Sequence, residues 1–189
     1  MARPGLNRER VVTEASVLVD EVGLDKLTLT ALADRFGVAA PSLYKHVEGL
    51  DGLRRDLSVL AVSELADRLM GAAVGRSGRE ALERVAHAYR RFAQERPGLY
   101  VASLAAPEPG DDAHEAASAR AVGVVQAVVE GYGLTGDEAI HSIRLIRSVL
   151  HGFVSLDAAG GFAMHQSTDT TFDHVIESLD ASLANWSRR

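Results

Sequence analysis

Apolar side chains recur along this chain at the spacing of one buried helix face, in nine successive stretches. Positions i, i+3, i+4 and i+7 fall on one side of a helix, so this spacing predicts helices. Glycine and proline separate several stretches, as at Gly23, Gly37 and Pro97. The pattern predicts an all-α fold of about nine helices. Outside 28–49, the predicted helices are 7–22, 51–70, 79–96, 99–105, 113–131, one from residue 135, and 170–186.

The stretch 28–49 contains two short helical patterns separated by a tight break. The first pattern has an apolar face made of Leu29, Leu32, Ala33 and Phe36. Thr30 is predicted to cap this helix, and Gly37 to end it, because glycine adopts the left-handed conformation without steric penalty. Pro41 suits the first turn of the second helix, where a missing N–H costs nothing. Leu43 and Val47 then face the core.

The second short helix leaves a polar surface outside, and its first turn is narrow. The predicted outward side chains are Ser42, Tyr44, Lys45 and His46, preceded by Ala39 and Ala40. A narrow helix that presents small residues, hydroxyls and a cation fits the major groove of DNA. The pattern therefore predicts a helix-turn-helix.

The block T-x-x-x-L-A-x-x-x-G-V-x-x-x-x-L-Y-x-H-V resembles the helix-turn-helix of the tetracycline-repressor-like (TetR) family of bacterial regulators. The residues that carry this resemblance are Thr30, Leu32, Ala33, Gly37, Val38, Pro41, Ser42, Leu43, Tyr44, His46 and Val47. The resemblance implies an all-helical homodimer with a three-helix DNA-binding domain at 1–50 and a helical ligand-binding and dimerisation domain at 51–189. The segment LHGFVSLDAAGGF at 150–162 is similar to a C-terminal subtype found in these regulators.

The charge of the chain moderates the DNA prediction. The formal net charge is −6, and residues 1–60 contain eight Lys or Arg against nine Asp or Glu. Because phosphate neutralisation supplies nonspecific affinity, we expect modest and strongly salt-dependent binding. Arg3, Arg8 and Arg10 are predicted to reach phosphates or the minor groove, with a solvated helix face as the alternative. Where the family commonly places a phosphate-binding lysine, this chain has Leu50.

Eight residues are predicted to contact DNA. Methyl groups of Ala39 and Ala40 can meet a thymine methyl, and Lys45 can reach a guanine edge or a phosphate. For Tyr44 the alternative is an aromatic side chain packed against the first helix, and for His46 an ordinary surface histidine. The full predicted set is Thr30, Ala39, Ala40, Pro41, Ser42, Tyr44, Lys45 and His46.

The C-terminal part contains the predicted effector pocket and dimer interface. An apolar cavity with a few polar groups is the general form of a small-molecule site. The predicted pocket residues are His87, Tyr89, Phe92, Tyr100, Arg147 and His151. The last two long helices have more apolar surface than one core absorbs, which indicates a subunit interface. The predicted interface residues are Leu145, Val149, Phe153, Phe172, Ile176, Leu179 and Leu183.

Composition excludes several classes of protein. There is no cysteine, which excludes disulfides and Cys-ligated metals. His141 and His151 are ten residues apart on one predicted helix, so no metal site is expected. We found no G-x-S-x-G or phosphate-loop motif, and we predict neither an enzyme nor a cofactor. No apolar signal region or membrane span is evident, so a cytoplasmic location without a membrane partner is expected.

Two functions remain open. The first is a homodimeric transcriptional regulator, a repressor that a small-molecule effector releases from a palindromic double-stranded DNA operator. The alternative is a helical small-molecule-binding protein in which the helix-turn-helix is only architectural.

Overall fold

The computed structural model describes residues 6–186, and every regular element in that range is helical. The α-helices are α1 Arg8–Val22, α2 Leu29–Phe36, α3 Gly49–Ala73, α4 Gly78–Glu95, α5 Pro97–Ala102, α6 Asp112–Glu130, α7 Gly136–Ala158 and α8 Thr168–Trp186. Two 3₁₀ helices lie at Leu24–Lys26 and Ala40–Lys45. The all-α prediction is confirmed, and each predicted helix corresponds to an observed element. Of the predicted N-terminal arginines, Arg3 lies outside the described residues.

The chain forms two compact units. In the described range, the first unit extends to Glu64 and also includes Glu95–Ala117, whereas the second contains Leu65–Gln94 and the chain from Ser118 onward. Helices α3 and α6 therefore contribute residues to both units. The predicted functional boundary after residue 50 falls in the first turn of α3 and stays a prediction.

Close packing of α5 on α1 organises the first unit. The carboxylate of Asp20 accepts hydrogen bonds from the backbone N–H groups of Gly98 and Leu99, at 2.9 and 3.0 Å. Arg96 donates to the other Asp20 oxygen and to Glu64. A Cβ at position 98 would lie 2.1 Å from the backbone oxygen of Val19, so only glycine allows this approach.

The ends of the first two helices follow simple capping chemistry. The Asn7 side chain caps α1, because it accepts a hydrogen bond from the backbone N–H of Arg10. The predicted cap of α2 is wrong, because Thr28 rather than Thr30 accepts from the N–H of Ala31. Gly37 ends α2 in the left-handed conformation at φ 67°, as the sequence predicted.

Helix α3 begins earlier and ends later than predicted. It starts at Gly49, and the Asp51 side chain in its first turn is fully exposed. At its other end α3 continues to Ala73. This helix presents buried apolar residues along its length, including Leu53, Leu57 and Leu65.

In the second unit, α4, α7 and α8 surround an aromatic core. Phe172 is completely buried, and its ring centroid lies 4.8 Å from that of Phe153. The guanidinium of Arg90 lies 5.0 Å from the Phe172 centroid and donates hydrogen bonds to Asp157 and Asp169. A buried cation is expected to have such carboxylate partners.

Helix α6 is only partly buried. Its buried apolar positions are Ala117, Val124, Val128 and Val129, and His114 is buried near its beginning, whereas Val122 is 44% exposed. Thr135 precedes α7, and its side chain makes no capping hydrogen bond.

Candidate nucleic-acid interface

The Ala40–Lys45 segment is a 3₁₀ helix instead of the predicted second α-helix. Pro41 occupies its first turn, and the N–H groups of Ser42 and His46 donate to the carbonyls three residues before them. This 3₁₀ helix has six residues, which is longer than most helices of this type. Sequence reasoning did not distinguish the two helix types, because the Leu43 and Val47 spacing fits an α-helix equally well.

Two buried side chains anchor this segment to the first unit. Leu43 and Val47 are both buried, as predicted. Tyr44, which lies between them, is 62% exposed. The alternative in which Tyr44 packs into the core does not fit this exposure. The segment therefore presents its phenol outward from a fixed apolar base.

The predicted DNA-contacting residues all belong to the first unit, on α2 and in the segment from Ala39 to His46, and none of them is buried. Lys45 is exposed and has no ion-pair partner within residues 6–186. Their contact with DNA stays a prediction. The exposed members of the set are Thr30, Ala39, Pro41, Tyr44 and Lys45. The half-buried members are Ala40, Ser42 and His46.

Neighbouring arginines are neutralised by carboxylates that sequence reasoning did not assign. Arg35 donates to Glu14 at 2.6 Å and to Glu21 at 2.5 Å, and the carboxylates of Glu21 and Glu14 raise its pKa. Arg8 makes two hydrogen bonds to Asp56, at 2.8 and 2.6 Å. Glu14 and Glu21 are two helical turns apart, so they lie on the same face of α1. This spacing was the signal in the sequence that the two carboxylates could share a partner.

These pairs change the electrostatic picture of the interface. Because Arg8 and Arg35 already have carboxylate partners, their charge is partly compensated before any phosphate approaches. Lys45 is therefore the clearest uncompensated cation on the helix-turn-helix among the described residues. This agrees with the neutral charge count of the N-terminal region.

The predicted effector-pocket residues occupy different environments. Tyr89 and Phe92 are buried, whereas Arg147 is exposed and His151 half-buried. Tyr100 is buried and belongs to the first unit, while the other five belong to the second. A pocket composed of all six stays a prediction.

His87 lines a cavity of about 490 Å³ in the second unit. Its ring packs against that of Phe172 at a centroid distance of 5.4 Å. Four arginines share this cavity, which sequence reasoning missed: Arg76, Arg84, Arg90 and Arg91. Within residues 6–186, no group of His, Asp or Glu side chains is arranged to bind a metal ion.

Five of the seven predicted interface residues lie in the core of their own chain. Their burial gives them a role in folding, so they are not available to a second subunit in this conformation. These five are Phe153, Phe172, Ile176, Leu179 and Leu183. Leu145 and Val149 on α7 are half-buried and remain partly accessible. Among the described helices, none is long and apolar enough to cross a bilayer.

An all-helical chain with an outward-facing helix-turn-helix near its N-terminus defines a DNA-binding regulator. The family model for the tetracyclin repressor-like C-terminal domain matches residues 82–179. The chain belongs to the TetR family of transcriptional regulators.

Individual relatives agree with this assignment. Uncharacterized HTH-type transcriptional regulator Rv0681 of Mycobacterium tuberculosis is 37% identical, over 97% of this chain and 84% of that protein. Uncharacterized HTH-type transcriptional regulator YobS of Bacillus subtilis is 34% identical, over 96% and 91%. A TetR variant from Acinetobacter baumannii AYE, solved in complex with minocycline, shares the fold with a TM-score of 0.72. It is 23% identical and aligns over 97% of this chain and 99% of its own.

Proposed function

We propose that this regulator is a repressor that binds a palindromic operator as a homodimer through the Ala40–Lys45 segment. The observation that carries the proposal is the exposure of Tyr44, at 62%, between the buried anchors Leu43 and Val47. An exposed aromatic side chain on a firmly anchored short helix has no role in the core. It is available to a groove or a phosphate of bound DNA.

Each outward residue has a distinct expected contact. The methyl groups of Ala39 and Ala40 suit thymine methyls, and Lys45 suits a guanine edge or a phosphate. The hydroxyls of Ser42 and Tyr44 suit phosphates. Base contacts then specify the sequence, whereas phosphate contacts fix the register. Pro41, His46 and Thr30 complete the proposed surface.

The test is operator binding by the double variant Tyr44→Ala with Lys45→Ala. Because both side chains are exposed, their removal leaves the core intact and removes two proposed contacts per subunit. We expect at least about a hundredfold loss of affinity for a palindromic upstream fragment. Lys26→Ala is the matched control, since Lys26 is the other lysine of the chain and is also exposed. Equal affinities for the double variant and the control would refute the assignment.

The proposed dimer surface is a stripe on the outer side of α7. Leu145, Val149, Gly152 and Leu156 follow one another at intervals of four, three and four residues, which places them on one helix face. Leu156 is 52% exposed, and the other three are half-buried. A glycine in the middle of this apolar stripe allows another helix to approach closely.

The stripe is tested by Val149→Glu with Leu156→Glu in analytical ultracentrifugation. Two carboxylates on a paired helix face should shift the chain to monomer. The control is Val122→Glu, which places a carboxylate at an exposed valine of α6. If the stripe variant sediments like the control, the dimer uses another surface.

Release by a small molecule is the remaining part of the proposal. Dimeric helix-turn-helix proteins place their recognition elements about 34–36 Å apart, one turn of DNA. A ligand that prefers a different spacing weakens DNA binding by its differential affinity for the two states. The predicted residues His87, Tyr89, Phe92, Tyr100, Arg147 and His151 are the proposed ligand contacts. An effector that binds these residues but leaves operator affinity unchanged at fixed salt would refute this coupling.

A further inference from the structure

The first unit contains a cavity of about 610 Å³ beside the helix-turn-helix. The beginning of α3, the 3₁₀ helix Leu24–Lys26 and the chain between α5 and α6 surround it. Small-molecule sites in proteins commonly have volumes of about 300–1,000 Å³. We call this space the first-unit cavity. It shares no residue with the predicted effector pocket.

A buried histidine without a hydrogen-bond partner lines the first-unit cavity. His114 is 3% exposed, and its Nε2 atom has no hydrogen-bond partner in the described part of the chain. A buried polar atom that lacks a partner costs free energy, so such atoms are usually paired. A ligand with a hydrogen-bonding group would provide the missing partner.

Apolar side chains form much of the remaining wall. Val101 lines the cavity and is half-exposed. Leu24, Ala102, Ala105 and Ala106 line the same space. These short side chains leave room for an apolar body such as an aromatic ring. Burial of that body would supply affinity through the hydrophobic effect.

The charges around the cavity do not cancel. Arg55 is occupied by Asp111, with its Nε 2.5 Å from Oδ2 and its Nη2 2.8 Å from Oδ1. Asp111 also accepts from the backbone N–H of His114, so this pair supports the beginning of α6. The Asp111 carboxylate is therefore already paired with Arg55 and with the beginning of α6, and it is not available to a ligand.

Two further carboxylates of the lining stay outside ion pairs. Glu48 and Glu108 are exposed, and neither has an ion-pair partner within residues 6–186, although Glu48 is close enough to Arg8 and Arg55 to raise the pKa of both. Arg54 lies 3.9 Å from Asp51, the upper limit of an ion pair. The mouth of the cavity therefore has a net negative charge that would attract a cation.

We propose that the first-unit cavity binds a small organic cation with an apolar body. The ammonium group lies between Glu48 and Glu108, the apolar body contacts Val101 and the alanines, and a hydrogen-bonding group pairs with His114 Nε2. The cavity has the volume, the charge and the unsatisfied polar atom for such a ligand.

A ligand in this cavity changes the operator affinity of the Ala40–Lys45 segment. This further claim rests on the proposed function. Glu48 is three residues beyond Lys45, and its backbone carbonyl accepts from Gly52 in the first turn of α3. A cation at Glu48 therefore binds next to the segment that faces DNA. It also neutralises an acidic group near a phosphate-binding surface, which changes operator affinity.

The test uses three probes that share one phenyl ring: 2-phenylethylamine, 2-phenylethanol and 3-phenylpropionate. The full-length protein is titrated with each probe by calorimetry in the absence of DNA. We expect the amine to bind about tenfold more tightly than the alcohol, and the carboxylate most weakly. Equal binding of amine and alcohol would overturn the proposal.

A double variant locates the ammonium group. Glu48→Gln with Glu108→Gln keeps the shapes of both side chains and should reduce amine affinity to that of the alcohol. The matched control is Glu83→Gln with Glu138→Gln, two exposed glutamates of the second unit. If both double variants bind the amine equally, the site is elsewhere and the proposal is wrong.

NMR of protein with isotope-labelled histidine rings reports directly on the ring of His114. The signal lost in His114→Gln identifies His114 among the seven histidines. Saturating tyramine, which adds a phenol hydroxyl at the far end of the amine probe, should shift this signal in the unsubstituted protein. An unmoved His114 signal, despite calorimetric binding of tyramine, would overturn the assignment.

The regulatory claim has its own readout. Operator affinity is measured with and without the amine, in the unsubstituted protein and in Glu48→Gln with Glu108→Gln. A change that only the unsubstituted protein shows supports coupling. Amine binding without this change overturns the regulatory claim, whereas a protein that never binds the operator contradicts the proposed function instead.

Discussion

The Ala40–Lys45 segment and helix α8 are anchored to the protein in opposite ways. Helix α8 buries Phe172, Ile176, Leu179 and Leu183 in a continuous stripe, so its packing explains its sequence. The Ala40–Lys45 segment buries only Leu43 of its six residues. The exposed side chains of Tyr44 and Lys45 have no packing role that explains them. The comparison shows that side chains which packing does not explain are the better guide to the function of this chain.

The largest effect that the comparison predicts is the loss of stability in Phe172→Ala. This change removes a completely buried ring that contacts Phe153, His87 and Arg90. We expect the free energy of unfolding to fall by about 3–5 kcal/mol. Urea denaturation followed by circular dichroism measures it. A loss below about 1 kcal/mol would show that α8 is not the core element described here.

Leu43→Ala tests the anchor of the Ala40–Lys45 segment. Leu43 is completely buried, so its truncation should cost about 2–5 kcal/mol and also weaken operator binding. Urea denaturation gives the stability, and fluorescence anisotropy with a labelled operator gives the affinity. Phe172→Ala, assayed below its unfolding transition, is the control for general destabilisation. An unchanged stability would mean that the segment is not anchored through Leu43.

Gly37→Ala tests the turn that leads into the same segment. Gly37 has φ 67°, a conformation that costs an L-residue about 1–2 kcal/mol. The matched control is Gly123→Ala on α6, where an added Cβ meets nothing within 4 Å. There we expect a gain of about 0.5–1 kcal/mol. Similar effects at both glycines would contradict the role assigned to the turn.

Much of this architecture was predictable from the sequence, because helix position follows from apolar spacing. Leu43 and Val47 face inward as their periodicity indicated. Periodicity does not show whether an apolar face meets its own core or another subunit. For that reason Phe172 and Leu183 were assigned to an interface although they are buried in one chain.

The polar details of the candidate site were less predictable. Two threonines two residues apart suited the cap of α2, and the local sequence did not favour Thr28 over Thr30. The pairs of Arg35 with Glu14 and of Arg55 with Asp111 join residues that are 21 and 56 positions apart. Such pairs depend on tertiary proximity. The spacing of Glu14 and Glu21 indicates two acids on one face of α1, but it does not identify Arg35 as their partner, and no local pattern indicates the Arg55–Asp111 pair.

The smallest predicted effect concerns the acid stability of the Arg55–Asp111 pair. The Arg55 guanidinium lowers the pKa of Asp111 to about 2 from its ordinary value of 3.8. Because the folded-state pKa is lowered, this pair stabilises the fold above pH 3.8, and the contribution is lost as the pH falls toward 2. Asp111→Asn should therefore lose less stability than the unsubstituted protein between pH 5 and pH 2.

The measurement for this last prediction is urea denaturation at several pH values. Asp51→Asn is the control, since its exposed carboxylate lies 3.9 Å from Arg54 and has no second partner. We expect the control to follow the unsubstituted protein. Parallel pH profiles for Asp111→Asn and the unsubstituted protein would contradict the paired geometry.

The most direct test of the central claim is the salt dependence of operator binding by Lys45→Ala. If Lys45 contacts a phosphate in each subunit, its loss should reduce the slope of log K against log[salt] by about two for the dimer. Lys26→Ala should leave the slope unchanged. A Lys45→Ala slope equal to that of the unsubstituted protein would contradict a phosphate contact by the Ala40–Lys45 segment.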